Sequence, residues 1–136
     1  MNREHILNEI ADNFMLADQS TNKESYQHRK EFAVGYMACA YDMGILNDSQ
    51  YNRMYCKALR RKVSENMILD YVGINHSNVS IFDNVPKLIL VKTLLCDKFG
   101  VNTLEDVYRK CMLSDVYDSK DMDIVRVFFS PILLNK

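Results

Sequence analysis

Only four glycines and two prolines occur in 136 residues, and their placement constrains the fold more than any other feature. Helix interiors exclude both residue types, so they mark where helices stop. Gly44, Gly73 and Gly100 each follow an apolar-periodic stretch, the position at which a left-handed residue terminates a helix. Gly35 instead falls inside such a stretch. The expected fold is mainly α: a compact single-domain bundle of five to six helices, with room for one or two short strands in the C-terminal half. A chain of this length can bury a core without disulfides or a metal as staples.

The periodicity predicts helices over 3–18, 23–43, 48–62, 64–72, 86–99 and 104–113, all within one domain spanning 1–136. In the first, Ile6, Leu7, Ile10, Ala11, Phe14 and Ala17 share an arc of about 140°, opposite Glu4, Asn8, Asp12 and Asn13. In the second, every residue from Phe32 to Tyr41 is apolar or glycine. A helix hydrophobic all round is a buried one, so this is the expected central helix, with Gly35, Ala38 and Ala40 admitting a close neighbour.

Asn47 or Asp48 is the expected cap of the third helix, whose apolar arc comprises Tyr51, Met54, Tyr55, Ala58, Leu59 and Val63. Met67, Ile68, Tyr71 and Val72 would point the opposite way if it continued. A break is therefore expected near Lys62 to Ser64. Gly73 to Asn84 reads as the longest irregular stretch, with Val79 to Phe82 a candidate strand. Pro86 suits a first helical turn, and Leu88, Val91, Leu95 and Phe99 form a core stripe. Thr103 and Asp106 approximate a capping box. Residues 122–129 fit a helix or a strand; the absence of an evident partner strand tips the reading toward helix.

Composition excludes several classes. Hydrophobic residues at 48% and charged residues at 26% are the balance of an ordinary globule, not of a disordered, collagen-like or membrane protein. A net charge of −1 argues against a generic polycation for nucleic acid and against a whole-surface polyanionic mimic of DNA. The N-terminal segment lacks the uninterrupted apolar core of a signal peptide, and Phe32 to Tyr41 is only about half a membrane span. The expected location is the cytosol of a bacterial host. Cys39, Cys56, Cys96 and Cys111 never form a CxxC pair and read as reduced core thiols. His5, His28 and His76 stand at no ligand spacing from them, so no metal and no cofactor is expected.

No catalytic residues emerge. GxSxG, GxGxxG, HExxH and the Walker glycine loop are all absent from the sequence, and four scattered glycines cannot build a phosphate cradle. The chain reads as a non-enzyme. Two charged groups remain as candidate contact surfaces. Arg53, Lys57, Arg60 and Arg61 fall within about 100° of the third helix, a stripe able to lie along phosphates or an acidic protein. Asp115, Asp118, Asp121 and Asp123 form an acidic patch without the alternation and glycine of a calcium loop. Tyr36, Tyr41, Tyr51 and Tyr55 cluster across the second and third helices, where tyrosine serves as core or as interface anchor.

From Glu31 to Met54 an aromatic-containing helix ends in Gly44-Ile45-Leu46, a polar cap follows, and a new helix opens with Gln50-Tyr51. This hairpin, about a fifth of the chain, resembles that of small helical proteins of phages and plasmids, some of them anti-CRISPR inhibitors. The resemblance implies stoichiometric inhibition of a host nuclease complex and carries no catalytic residue. The leading expectation is therefore a protein-interaction module of a mobile element, with a host protein or nucleoprotein complex as partner. The alternative is a small nucleic-acid-binding protein using the basic stripe. A homodimer through Tyr and Met faces is a further option.

Overall fold

The computed structural model describes residues 2–59, 85–114 and 119–130. Among them the chain is a bundle of α1 (Arg3–Asp18), α2 (Lys23–Asp42), α3 (Asp48–Leu59), α4 (Val85–Phe99), α5 (Leu104–Leu113) and α6 (Ser119–Val127). No strand occurs among the described residues, and 119–127 is helix. The expected break near 62–64, the helix over 64–72, Gly73 and the strand at 79–82 lie outside the described residues.

Local chemistry sets most helix ends. Asn2 and Asn22 accept from the backbone N–H groups of Glu4 (2.9 Å) and Ser25 (2.8 Å), satisfying donors that have no partner inside the helix. Asn47 and Gln50 bond reciprocally, each side chain accepting from the other's N–H at 2.8 and 3.0 Å, a complete capping box for α3. Thr103 accepts from the Asp106 N–H at 3.2 Å. At the opposite ends, Gly44 and Gly100 have φ of +80° and +64°. The N–H groups of Ile45 and Val101 then return to the carbonyls of Ala40 and Cys96, both at 3.0 Å. Each such reversal needs a residue without the Cβ penalty.

The strongest pairing is α1 against α2, while α5 touches α1, α3, α4 and α6. Ile6, Ile10, Ala11, Phe14, Met15 and Ala17 bury one face of α1. Val91 and Leu95 of α4 and Val107, Tyr108, Cys111 and Met112 of α5 complete the core with α6. Phe99 is half-buried, and the side chains of Leu88 and Leu59 lie outside the described ones.

Three expectations are corrected. Helix α2 is peripheral: it buries Tyr26, Ala33, Met37 and Ala40, yet leaves Phe32, Gly35, Cys39 and Tyr41 exposed. Gly35 admits no neighbour, because a Cβ there would meet nothing within 4 Å. The buried helix is α6, in which every residue from Asp121 to Val127 is inside. The thiols also divide differently: Cys111 is buried and Cys96 partly so, but Cys39 and Cys56 are exposed. The misplacements on α2, Cys39 among them, share one cause. An apolar helix can bury only the area its neighbours cover, and α2 is covered on the α1 side and at its end against α3.

Candidate functional site

The outer face of α2 carries an apolar stripe. His28, Phe32, Gly35, Cys39 and Met43 recur at steps of three and four residues, which aligns them on one side of a helix, and all are exposed. Phe32 is 66% and Met43 61% exposed, and Leu16 of α1 joins them at 51%. These are large side chains to leave in water, each worth about 1.5–3 kcal/mol if fully buried. Scattered singly they would be ordinary; here they gather on one side of the α1–α2 pair as an exposed apolar patch.

Two hollows interrupt this surface. One of about 400 Å³ lies at the α1–α2 seam between Asn13, Leu16, His28, Arg29 and Phe32, and its Arg29 Nη1 donates to the Leu16 carbonyl at 3.2 Å. The other, of about 190 Å³, is lined by Ile6, Tyr36, Cys39, Ala40, Met43 and Ile45. Both are predominantly apolar. A larger furrow of about 720 Å³ between α1 and α5 is charged. Within it, Arg109 is engaged by Asp12 (2.7 Å) and Asp106 (2.9 Å). The hydrogen bond that Arg109 donates to Asp12, ahead of an opposing desolvation, holds that guanidinium above its ordinary pKa.

The tyrosine cluster flanks the stripe. Tyr41 and Tyr51 have ring centroids 4.9 Å apart, and Tyr51 stacks on Tyr55 at 5.9 Å. The Tyr41 hydroxyl donates to Asp48, and that of Tyr36 to Glu9. Both phenols are raised above their usual pKa, first by these carboxylate hydrogen bonds.

Among the described residues, the members of the predicted charged sites turn inward. Lys57 is 1% exposed, and its Nζ donates to the carbonyls of Cys111 (2.8 Å) and Ser114 (3.0 Å). It caps the C-terminal end of α5, where the helix dipole favours a cation. Arg53 is half-buried and donates to Ser49 Oγ. Arg60 and Arg61 lie outside the described residues, as do Asp115 and Asp118. Asp121 and Asp123 are buried on α6 rather than on a solvated loop, and Lys98 meets Asp121 at 2.6 Å. The inward face of α3 thus takes up Lys57, which the helical wheel placed outside, and α6 buries two carboxylates of the expected acidic patch.

Behind them lies a polar knot that the sequence pattern does not predict. Arg126 grips Asp18 in a bidentate pair, Nε and Nη2 each donating at 2.8 Å, while Nη1 donates to the Lys57 carbonyl at 3.1 Å. Tyr108 donates to the same Asp18 carboxylate at 2.7 Å. Burial pushes the Tyr108 hydroxyl well above its usual pKa, and the Asp18 charge adds to this. For Arg126 burial acts downward, but Asp18 and the Tyr108 oxygen more than offset it and hold the guanidinium charged. The available signal was Asp18 one helical turn beyond Phe14 on the apolar stripe, and Arg126 inside an apolar run. Either is a charge on a core face, which demands a partner.

Among the described residues no group of three or more His, Cys, Asp or Glu could hold a metal ion, and no helix is long and apolar enough to cross a membrane. His5 pairs with Glu9 on exposed α1 at 3.1 Å, His28 is exposed on the stripe, and His76 lies outside the described residues. No family model matches the chain, nor does any curated protein or solved structure. Fold and surface define its class: a helical bundle whose buried Lys57, Asp121 and Arg126 are hydrogen-bonded and whose second helix exposes an apolar stripe.

Proposed function

We propose that this chain is a non-enzymatic protein-interaction module, with the outer face of α2 as its contact surface. The observation that carries the reading is the exposure of Phe32, Met43 and Leu16 on one side of the α1–α2 pair. Burying such groups against a partner drives association, and aromatic side chains anchor interfaces. The finer reading is a mobile-element protein in the bacterial cytosol that binds and inhibits a host protein or nuclease complex. Its support is the resemblance of the Glu31–Met54 hairpin, which overlaps the stripe.

The test compares bacterial lysate captured on the tagged chain and on a Phe32→Glu, Met43→Glu variant, with proteins identified by mass spectrometry. A partner retained by the first and lost by the second is the expected result, followed by inhibition of that partner's activity. Identical capture by both would sink the reading.

Nucleic-acid binding through α3 is the second reading. It has lost Lys57 to the core, and its remaining basis is Arg53 with Arg60 and Arg61. Electrostatic binding of that kind weakens steeply with salt. Absence of any affinity for DNA or RNA at low salt would end it, whereas salt-sensitive binding abolished by Arg53→Ala with Arg60→Ala would revive it.

A further inference from the structure

We infer that the outer face of α2 receives one amphipathic helix of a partner protein, with basic residues along one flank of that helix. This rests on the interaction-module reading and gives its partner a chemistry.

The apolar stripe of α2 has two different borders. Glu24, Glu31 and Asp42 are all exposed, and they stand seven and then eleven positions apart. At about 100° per residue the three fall within about 20° of one another, forming a single line of carboxylates about 27 Å long. The stripe through His28, Phe32, Cys39 and Met43 runs beside this line, on the α1 side of it. Lys23 and Lys30 fall on the other side, and Lys30 rests over the Tyr26 ring at 5.9 Å. Arg29 borders the seam with α1, where it donates to the Leu16 carbonyl at 3.2 Å.

Among the described residues, none of the three carboxylates enters an ion pair. Glu31 accepts from Gln27 at 3.1 Å, which leaves its charge in place. A row of like charges is relieved by a row of opposite ones, so the complement of this edge is a cationic flank. A phosphate backbone or an anionic lipid surface would meet repulsion there. So would a second copy laid antiparallel, whose own carboxylate line would fall on the same side. The edge favours a separate, basic protein segment.

Shape sets the form of that segment. One hollow is lined on α2 by His28, Arg29 and Phe32, the other by Tyr36, Cys39, Ala40 and Met43. Both lie along the side of α2 that faces α1, about ten positions or about 15 Å apart. Apolar side chains at i and i+11 of a helix share one face and span about 16 Å. One helix lying along α2 can therefore seat an anchor in each hollow. Gly35 stands between them, exposed, and a Cβ built there meets nothing within 4 Å, so bare backbone lets that helix lie close. Cations spaced by seven and eleven positions on its flank then face Glu24, Glu31 and Asp42. The anchors supply affinity, and the charges fix orientation and exclude wrong partners.

Selection from a displayed library of helical peptides of about 18 residues, about 27 Å as a helix, tests this on the immobilised full chain. Wild type should enrich peptides with apolar residues at i and i+11 and with Lys or Arg along one flank. The chain carrying Glu24→Lys, Glu31→Lys and Asp42→Lys should enrich Asp and Glu on that flank instead. By fluorescence anisotropy, the best wild-type peptide should bind this reversed chain about thirtyfold more weakly, the scale of three exposed ion pairs. The difference should shrink in high salt. Binding should also be lost with Phe32→Glu and Met43→Glu, and circular dichroism should show both variants folded, since all five side chains are exposed.

Enriched peptides without a basic excess, or a selected peptide indifferent to the charge reversal, would overturn the proposal, as would failure to enrich any peptide. Binding to vesicles of phosphatidylglycerol and phosphatidylcholine that is lost with Phe32→Glu would also overturn it, placing a lipid surface on the stripe. Neutral peptides lost with Phe32→Glu and Met43→Glu would remove the basic partner and leave the interaction-module reading standing. That reading falls only by its own test, identical lysate capture by the two chains.

Discussion

Helices α2 and α6 invert the usual relation between polarity and burial. The half of α2 from Phe32 to Tyr41 has no charged residue and still exposes Phe32, Gly35, Cys39 and Tyr41. Helix α6 carries Asp121, Asp123 and Arg126 among its buried residues and exposes none from Asp121 to Val127. The difference lies in which faces the neighbours cover. Helix α2 leans on α1 with one face and meets α3 near its end, whereas α6 is held between α4 and α5 and reaches Asp18 of α1 through Arg126. Arg126 and Asp121 can enter the interior there because each meets an opposite charge, Asp18 and Lys98; apolar groups can remain outside because a surface helix has no cover for them. Helix α6 organises the core. Helix α2 leaves large apolar side chains exposed.

That contrast can be broken most forcefully at the polar knot. Replacing Asp18 by Ala leaves the Arg126 guanidinium charged and buried, and urea unfolding should show a loss of about 3–5 kcal/mol, a large fraction of a typical domain's stability of about 5–15 kcal/mol. The Asp18→Leu, Arg126→Met double variant should cost much less than the sum of the two singles, because no unpaired charge remains. Additive losses would mean that the pair is not coupled.

A direct comparison of the two helices comes next. Ile124→Ala in α6 should cost about 2–5 kcal/mol by opening a cavity, while Phe32→Ala in α2 should stay within about 0.5 kcal/mol. Equal losses would show that Phe32 is covered in the free monomer.

The Tyr108 hydroxyl gives the pH dependence. Its folded pKa is raised above the ordinary value of 10.0, first by burial and then by the Asp18 charge. The unfolded phenol therefore loses its proton first as pH rises, so this stabilisation is fully present below pH 10 and is lost above it. Wild type should exceed Tyr108→Phe in stability by about 1–3 kcal/mol near neutrality, and the gap should shrink in strongly alkaline solution. A gap independent of pH would show that Tyr108 does not titrate against a buried site.

The smallest expected effects separate two glycines. Gly44→Ala places a side chain at a φ of +80° and should cost about 1 kcal/mol, measurable as a lower urea midpoint. Gly35→Ala, in open helical space, should stabilise the chain by about 0.5–1 kcal/mol. Destabilisation by Gly35→Ala would mean that the site is crowded after all.

Much of the helix layout was legible in the residues, and much of the candidate site was not. The bounds of α1 and α5 follow from apolar period and caps, as does the end of α4 at Gly100. The run from Ile124 to Phe129 left helix and strand both open, because β-branched residues suit either and packing made the choice. The basic stripe on α3 was legible as a stripe, yet its Lys57 turned inward. A helical wheel shows which residues share a face; it does not show which face another helix covers. The exposed line through Phe32 and Met43 lay concealed within a run whose uniform apolarity pointed to the core.

What the amino-acid order determined alone is where helices begin and end. Those signals are hydrogen bonds and backbone preferences completed within about five residues, such as Asn47 with Gln50, Thr103 with Asp106, and Gly44 and Gly100 after their helices. Only tertiary structure decided what is inside. Asp18 and Arg126 are 108 positions apart, and Lys57 reaches a carbonyl 54 positions away. Burial is a property of the neighbours a residue acquires, and those neighbours come from the far end of the chain.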